Sequence, residues 1–271
     1  MYCEFYGLKE RPFNVTSDPA FFFLSSSHQE ALSHLKYGIK ERKGIIVISG
    51  EIGTGKTTLC RVFLSQSQQK NIKTAFIINP NFSTKELLEA IVADFGIPIT
   101  KKTKLSLVAQ LNKFLIEETT QGNNAALIVD EAQNLNPKQL EEIRLLSNLE
   151  TDKNKLMQIV LVGQPELKFK LNLEKLIQLQ QRVVVRYHIG PLQKEELKNY
   201  INHRLKIAGS NPERIQFTDG AQEIIYKFSG GTPRLVNILC DRCLLAGFVA
   251  KTNTIDDKIT RNSMKEVRPT T

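Results

Sequence analysis

The stretch GIIVISGEIGTGKTTLCRVFL, residues 44–64, decides the fold of this chain. Its first part, Ile45 to Ile48, is an apolar run of the kind that forms a buried strand. Its last part has apolar residues at helical spacing, which predicts a helix. Between the strand and the helix lies a glycine-rich turn, Gly50-Glu51-Ile52-Gly53-Thr54-Gly55-Lys56-Thr57-Thr58. Strand, turn and helix in this order, with the spacing G-x-x-x-x-G-K-[ST], are typical of a P-loop.

A P-loop predicts that the chain binds a nucleoside triphosphate together with Mg²⁺. Glycines permit backbone conformations in which successive N–H groups point at one phosphate, and the start of the following helix favours the same anion. Lys56 is predicted to contact the β- and γ-phosphates, and Thr57 to bind Mg²⁺ through its hydroxyl. We therefore expect Gly50 to Thr58 to hold the nucleotide.

Composition is that of an ordinary globular protein. The chain has 271 residues, of which 41% are hydrophobic and 24% charged. It shows no apolar run near the ~20 residues of a membrane helix and no signal-peptide pattern at its start, so we expect a cytoplasmic protein. The net charge of +9 permits contact with nucleic acid or an anionic membrane. Because the basic residues are spread along the chain, a solvated surface is the favoured explanation of that charge.

A second motif follows the apolar run Ala125 to Val129. Such a run indicates a strand buried on both faces of a parallel sheet, and it delivers the acidic pair Asp130-Glu131 at its carboxyl end. This is the Walker B pattern. Asp130 is predicted to hold Mg²⁺, and Glu131 to polarise the water that attacks the γ-phosphate.

Two further strands end in polar residues with predicted catalytic roles. Gln164 follows the fourth strand, where a side chain can sense the γ-phosphate or the attacking water; a loop amide bonded to backbone is the alternative.

The fifth strand is bracketed by Arg182 and Arg186. Arg182 is the first candidate for an arginine finger that reaches the nucleotide of a neighbouring subunit, and Arg186 is the second. Ordinary surface arginines are the alternative.

After residue 192 the pattern becomes helical. Five strand-helix units followed by a helical region predict an α/β fold with a five-stranded parallel sheet, carrying a small all-helical lid. In Gly231-Thr232-Pro233-Arg234 a helix begins, which places Arg234 in a first turn where a cation is unfavourable for the helix dipole. We interpret Arg234 as a second sensor of the γ-phosphate. The predicted domains are an N-terminal extension at 1–43, a P-loop core at 44–192 and a lid at 193–271.

Three other features have both a functional and a structural interpretation. The aromatic residues of the N-terminal extension can supply an apolar wall for a nucleotide base, or simply pack against the sheet. Lys101, Lys102 and Lys104 can contact nucleic-acid phosphates, although a solvated loop is the favoured reading. Cys240 and Cys243 form a C-x-x-C in an apolar helix without partner ligands, which favours packing thiols over a zinc or redox site.

Taken together, these motifs resemble those of AAA+ ATPases of the ASCE class, and more narrowly the ATPase domain of the general secretion pathway protein A family. The resemblance covers almost the whole chain. It rests on the P-loop with Thr58, on Asp130-Glu131-Ala132-Gln133, on Gly163-Gln164-Pro165-Glu166-Leu167, on Gln181-Arg182 with Arg186-Tyr187-His188, and on Gly231 to Asn237 through Cys240-Asp241-Arg242.

The resemblance implies an ATP-hydrolysing homo-oligomer, with ATP or ADP and Mg²⁺ bound, that assembles or remodels a secretion or cell-envelope complex. Family members often continue into a transmembrane helix and a periplasmic domain, which implies a place at the inner face of the cytoplasmic membrane through partners or a missing C-terminal region. Transposition regulators of the TnsC and TniB type share the same layout. A nucleotide switch that binds duplex DNA is therefore the alternative function.

Overall fold

A computed structural model describes residues 2–67, 71–151, 154–210 and 214–267 of the chain. They form two compact units. The sheet unit comprises His28–Ile52 and Leu59–Ile189, and the helical unit comprises the described residues of Met1–Ser27, Gly53–Thr58 and Gly190–Thr271. Met1 of the predicted extension and residues 211–213 and 268–271 of the predicted lid lie outside the described residues. Among the described helices, none is long and apolar enough to cross a membrane.

Seven strands and twelve α-helices make up the described chain. The strands are β1 (Ile45–Gly50), β2 (Ile72–Ile77), β3 (Asn124–Val129), β4 (Gln158–Gly163), β5 (Val183–Ile189), β6 (Gln216–Phe217) and β7 (Thr254–Ile255). The helices are α1 (Tyr2–Tyr6), α2 (Ser26–Lys40), α3 (Lys56–Ser67), α4 (Thr84–Asp94), α5 (Lys104–Thr120), α6 (Pro137–Leu146), α7 (Glu166–Leu171), α8 (Ile177–Gln180), α9 (Lys194–Ile207), α10 (Asp219–Ser229), α11 (Pro233–Val249) and α12 (Asp257–Val267). Short 3₁₀ turns lie at Pro19–Phe21, Ala132–Asn134 and Glu174–Leu176.

The sheet unit is built on a parallel sheet with the strand order β2-β3-β4-β1-β5. Every residue of β1 and β4 is buried, as expected of strands covered on both faces. The register pairs Ser49 with Gly163 and Val129 with Leu161. Because the strands are parallel, the residues that follow β1, β3 and β4 meet at one edge of the sheet. This carboxyl edge holds Gly50, Asp130 and Gln164.

Local sequence chemistry explains where several helices of this unit begin. Ser83 caps α4 in a capping box, with its hydroxyl accepting from the Glu86 N–H and the Glu86 carboxylate accepting from the Ser83 N–H. Asn136 and Gln139 form the same box at α6, and Pro137 occupies the first helical position. These caps fix the loops that connect the carboxyl edge of the sheet to its helices.

The helical unit has its own hydrophobic core, which includes the N-terminal aromatic residues. Tyr2, Tyr6, Phe13 and Phe21 are buried in one cluster with apolar residues of α9, α10 and α11. Residues up to Ser27 belong to the helical unit and those from His28 onward to the sheet unit. The packing of the N-terminal extension on the core and the nucleotide stays a prediction.

Arg204 fixes the N-terminal segment within the helical unit. Its guanidinium donates to the Pro12 carbonyl at 2.6 Å and to the Asn14 carbonyl at 3.0 Å, and it lies over the Phe21 ring. Only 7% of Arg204 is exposed. Backbone carbonyls and an aromatic face thus supply the partners that a buried guanidinium requires.

The predicted fold class is confirmed, with one addition. β6 and β7 pair in parallel in the helical unit, as a two-stranded sheet beside four helices. Strands of two residues are too short to show alternation in a sequence, which is why the region reads as purely helical.

Cys240 and Cys243 are both buried in the core of the helical unit. Burial raises the pKa of the Cys243 thiol to about 11, and it also raises the pKa of the Cys240 thiol well above its ordinary value. Metal binding and thiol exchange both need the thiolate. The two residues therefore act as packing thiols, in agreement with the favoured interpretation.

Candidate active site

The acidic pair after β3 lies in a rigid turn of the sheet unit. The Asp130 N–H donates to the Ile77 carbonyl at 2.8 Å, which continues the pairing of β3 with β2 by one residue. Asp130 is only 1% exposed, and one of its carboxylate oxygens, Oδ1, accepts from the Glu131 N–H at 2.9 Å. Glu131 has a φ of 53°, in the left-handed region that a residue with a long side chain rarely adopts. This backbone turn determines where the Glu131 side chain leaves the sheet edge.

Two glutamine side chains hold the Glu131 carboxylate. Gln133 Nε2 donates to Glu131 Oε2 at 2.5 Å, and Gln164 Nε2 donates to the same oxygen at 3.3 Å. The Gln164 N–H in turn donates to Gln133 Oε1 at 3.1 Å. The structure thus brings together Glu131 and Gln164, which the motifs predicted at separate strand ends. It adds Gln133, to which sequence reasoning gave no role; its position two residues after Glu131 in a short turn was the available signal.

The P-loop shows the backbone features that phosphate binding requires. Gly53 and Gly55 have φ angles of 80° and 91°, which only glycine adopts without strain. Lys56 is the first residue of α3, so the N-terminal turn of this helix lies in the segment that the motif assigns to phosphate. Thr54 and Lys56 are 1% and 6% exposed. A charged lysine buried at a helix start fits a site built for an anion.

Arg234 lies beside the P-loop within the helical unit. Its N–H donates to the Gly53 carbonyl at 3.2 Å, and Thr232 and Pro233 begin α11 just before it. A Cβ built on Gly53 would lie 2.6 Å from the Cβ of Arg234 and 3.4 Å from the Thr232 methyl carbon. Only glycine therefore allows the first turn of α11 to approach the P-loop so closely.

The Gly53 contact gives a testable prediction. We expect Gly53→Ala to lower both the thermal stability and the nucleotide affinity, because the new methyl group meets the main body of Arg234 rather than a flexible tip. Placing alanine at a φ of 80° also costs about 1–2 kcal/mol in backbone strain. Thermal unfolding and titration with a fluorescent ATP analogue measure the two effects.

Gly122→Ala is the matched control for that variant. Gly122 has a φ of 81°, but nothing lies within 4 Å of a Cβ built on it. Gly122→Ala therefore has the same backbone strain as Gly53→Ala, but its new methyl group has no close contact with a neighbouring atom. If both variants lost the same stability and kept the parent nucleotide affinity, close packing of α11 on the P-loop would be unimportant.

The two finger candidates flank or lie within β5 and differ in exposure. Arg182 is half-buried, and its Nη1 donates to Ser147 Oγ at 3.4 Å. The pKa of Glu141 on α6 is lowered mainly by its hydrogen bonds with Arg144, and Arg182 contributes a smaller favourable charge. Arg186 is exposed and donates to the Gln180 carbonyl at 3.2 Å. Among the described residues each guanidinium thus has a single hydrogen bond, Arg182 just before β5 and Arg186 within it.

The lysines at 101–104 are largely occupied by acidic partners of the sheet unit. Lys104 Nζ lies 2.5 Å from a carboxylate oxygen of Glu142, which is 4% exposed, and Lys102 Nζ lies 3.6 Å from Glu89. Paired lysines offer less positive charge to a nucleic acid. The pairing favours the structural interpretation of this loop.

Comparison with known proteins relates the chain to the AAA domain family and to one curated protein. A family model described as an AAA domain matches residues 39–171. General secretion pathway protein A of Aeromonas hydrophila is 42% identical over 258 residues, which cover 94% of this chain and 46% of that protein. The chain therefore spans about half the length of the curated relative that it matches.

Solved structures support the same fold. Cdc6p of Pyrobaculum aerophilum has a TM-score of 0.68 at 19% identity, and ORC2 of Aeropyrum pernix has 0.63 at 18%; each match covers 88% of this chain and 66% of the other. The RuvB Holliday junction branch migration motor of Thermotoga maritima has a TM-score of 0.58 at 23% identity, with 88% and 69% covered. At these identities the likeness concerns the fold alone.

The fold and the two motifs agree with these matches: residues 39–171, about half of the chain, match the model of an AAA domain. The chain is a homologue of general secretion pathway protein A of Aeromonas hydrophila, to which it is similar over 94% of its own length and 46% of that protein. Both parts of the sequence-based recognition are confirmed.

Proposed function

We propose that this chain is an ATPase that works as an oligomer to assemble or remodel a secretion or cell-envelope complex. One observation carries the proposal of hydrolysis: the residues after β1, β3 and β4 lie at one sheet edge, with Glu131 held there by Gln164. The secretion role is supported by the similarity to general secretion pathway protein A. The same similarity supports a cytoplasmic location, at the inner face of the cytoplasmic membrane.

ATP is the proposed substrate, and the residues of the P-loop are its proposed ligands. Gly50 to Thr58 are proposed to bind the phosphates through backbone N–H groups, with Lys56 adding the positive charge. Mg²⁺ fits the oxygen donors that the motifs supply, the Thr57 hydroxyl and the buried Asp130 carboxylate. When bound, the ion neutralises phosphate charge.

Glu131 is the proposed general base. Its carboxylate accepts a proton from the attacking water as the water oxygen bonds to the γ-phosphorus, and the phosphorus–oxygen bond to the ADP leaving group breaks. Gln164 is proposed to orient this carboxylate, since its amide donates to Glu131 Oε2. Arg234 is proposed to neutralise charge on the γ-phosphate from the start of α11.

Arg182 is the proposed arginine finger, acting on the nucleotide of a neighbouring subunit, with Arg186 as the second candidate. Such an arginine raises the rate by about 10³- to 10⁵-fold in enzymes where its effect has been measured. An arginine supplied by a neighbour makes the rate per subunit depend on assembly. The ATPase rate at increasing protein concentration therefore tests both the oligomer and the finger.

We expect the ATPase rate per subunit of the parent chain to rise with protein concentration. In Arg182→Ala the rate per subunit should no longer depend on protein concentration. Arg186→Ala is measured in the same way. Arg261→Ala, at an exposed position of α12, is the control and should follow the parent chain. The series is repeated with duplex DNA at two salt concentrations.

The competing function is a nucleotide switch that binds duplex DNA, to which the net charge of +9 is favourable. A rate that stays flat with concentration, rises when DNA is added and falls at high salt would support this switch and contradict the secretion proposal. A concentration-dependent rate that ignores DNA would support the secretion ATPase. If Arg186→Ala alone removed the concentration dependence, the finger would be Arg186.

A further inference from the structure

Gln133 is the most heavily constrained side chain next to the proposed base. Its Nε2 donates to Glu131 Oε2 at 2.5 Å and its Oε1 accepts from the Gln164 N–H at 3.1 Å. The amide nitrogen of Gln133 thus binds Glu131 in the turn after β3, and its amide oxygen binds Gln164 at the end of β4. The side chain therefore links these two segments. Neither an acid nor an aliphatic side chain of the same size can form both bonds.

The backbone around Gln133 is fixed as well. Lys170 Nζ on α7 donates to the Gln133 carbonyl and to the Leu135 carbonyl. The Asn134 N–H donates to the Glu131 carbonyl at 2.9 Å, which closes the 3₁₀ turn over these residues. Three elements, β3, β4 and α7, thus hold one short turn in place.

Gly163 provides the space that the Gln133 side chain needs. A Cβ built on Gly163 would lie 2.7 Å from Gln133 Oε1 and 3.3 Å from the Gln133 backbone nitrogen. The φ of Gly163 is not in the positive range, so the backbone alone does not require glycine there. The same Cβ would lie 3.1 Å from Leu167 Cδ2, so the close approach of Gln133 and of Leu167 to the end of β4 is the requirement that remains.

From these contacts we infer that Gln133 is a positioning residue that sets the orientation of the Glu131 carboxylate for water activation. This inference rests on the proposed function, because it needs Glu131 to be the base. Glu131 leaves a left-handed backbone position, from which its side chain has several rotamers open to it. Binding Oε2 to two amides selects one of them and leaves Oε1 as the oxygen available to a water.

The test uses two variants of Gln133 with side chains of similar size and one variant of Gly163. Gln133→Glu keeps an acceptor toward Gln164 but replaces the donor to Glu131 with a second carboxylate, and Gln133→Met removes both bonds. Gly163→Ala keeps the glutamine at position 133, but its new methyl group displaces the side-chain amide of that glutamine. We expect each to lower kcat about tenfold or more, a part of the ~10²- to 10⁴-fold that a general base contributes. KM and the Kd of a fluorescent ATP analogue should stay within twofold of the parent values.

Gln110→Glu is the matched control. Gln110 is also a half-buried glutamine of the sheet unit, and its Nε2 donates to the Ser106 carbonyl at 2.9 Å, but it has no hydrogen bond with Glu131. It should keep the parent kcat. An equal loss of kcat in Gln110→Glu would show that any Gln-to-Glu change in this unit is harmful and would overturn the assignment.

Double variants separate positioning from general loss of structure. If Gln133 acts through Glu131, Gln133→Glu should cause no further loss in a Glu131→Gln background, because residues that act as a unit are not additive. In the nucleotide-free protein, the ¹⁵N–¹H signals of the Gln133 side-chain amide should shift downfield and move back in Glu131→Ala. Signals that do not respond to Glu131→Ala would contradict the inference.

The outcomes distinguish the inference from the proposed function. Parent kcat in Gln133→Glu, together with an inactive Glu131→Gln, overturns the positioning role alone. Losses that multiply in the double variant also overturn it. Parent kcat in Glu131→Gln overturns the base assignment, and the role of Gln133 with it.

Discussion

Glu131→Gln should bind ATP as the parent chain does and lose turnover by about 10²- to 10⁴-fold, the usual contribution of a general base. The physical reason is that the amide has the same size and keeps a hydrogen-bond acceptor but cannot take a proton at neutral pH. Single-turnover hydrolysis of ATP and a separate titration of nucleotide binding measure the two halves of the expectation.

Two details of the structure sharpen this expectation. The Glu131 backbone contacts, its N–H to Asp130 Oδ1 and its carbonyl to the Asn134 N–H, do not involve the side chain and survive the substitution. The turn after β3 should therefore keep its shape. Glu117→Gln, an exposed glutamate of α5, is the control for the loss of one negative charge. Hydrolysis at the parent rate in Glu131→Gln would show that another group activates the water.

Lys56→Ala should raise the Kd for ATP by about 10- to 150-fold. A hydrogen bond between charged groups contributes roughly 1.5–3 kcal/mol, and each 1.4 kcal/mol corresponds to tenfold in Kd. The lysine is 6% exposed at the first position of α3, so its charge acts in surroundings with little screening water. Titration with a fluorescent ATP analogue measures the change, and circular dichroism verifies the fold.

A second substitution at the same position separates charge from geometry. Lys56→Arg keeps the positive charge but carries a planar, branched head group that does not fit a site for a compact ammonium. We expect it to bind ATP more weakly than the parent and more tightly than Lys56→Ala. Lys113→Ala, an exposed lysine of α5 paired only with Glu117 in the described part of the chain, is the control. Parent affinity in Lys56→Ala would contradict the P-loop assignment.

The positions of the predicted strands and of the motifs were correct because both depend on local patterns. Buried parallel strands are continuous apolar runs, and β1, β3 and β4 have this pattern. The P-loop and the acidic pair lie directly after such strands, so their place at the carboxyl edge follows from chain order. The roles assigned to the P-loop residues, Asp130, Glu131, Gln164, Arg182 and Arg234 remain predictions, as do the domain boundaries at residues 43 and 192.

The part that sequence reasoning missed depends on contacts between residues distant in the chain. Gln133 and Gln164 are 31 residues apart, and the bond that joins them exists only because β3 and β4 are neighbours in the sheet. The N-terminal aromatic residues share a core with helices nearly 200 residues further along. Hydrophobicity alone does not specify which apolar surface a segment covers.

The sequence by itself indicated the class of protein and predicted the chemistry of a phosphate site, since glycine spacing, the lysine and the acidic pair are requirements that such a ligand imposes on adjacent residues. Only the tertiary structure decided how the proposed base is held and why Gly53 and Gly163 are glycines. The physical reason is that hydrogen-bond geometry and close packing depend on distances of a few tenths of an ångström between elements. A one-dimensional pattern contains no such distances.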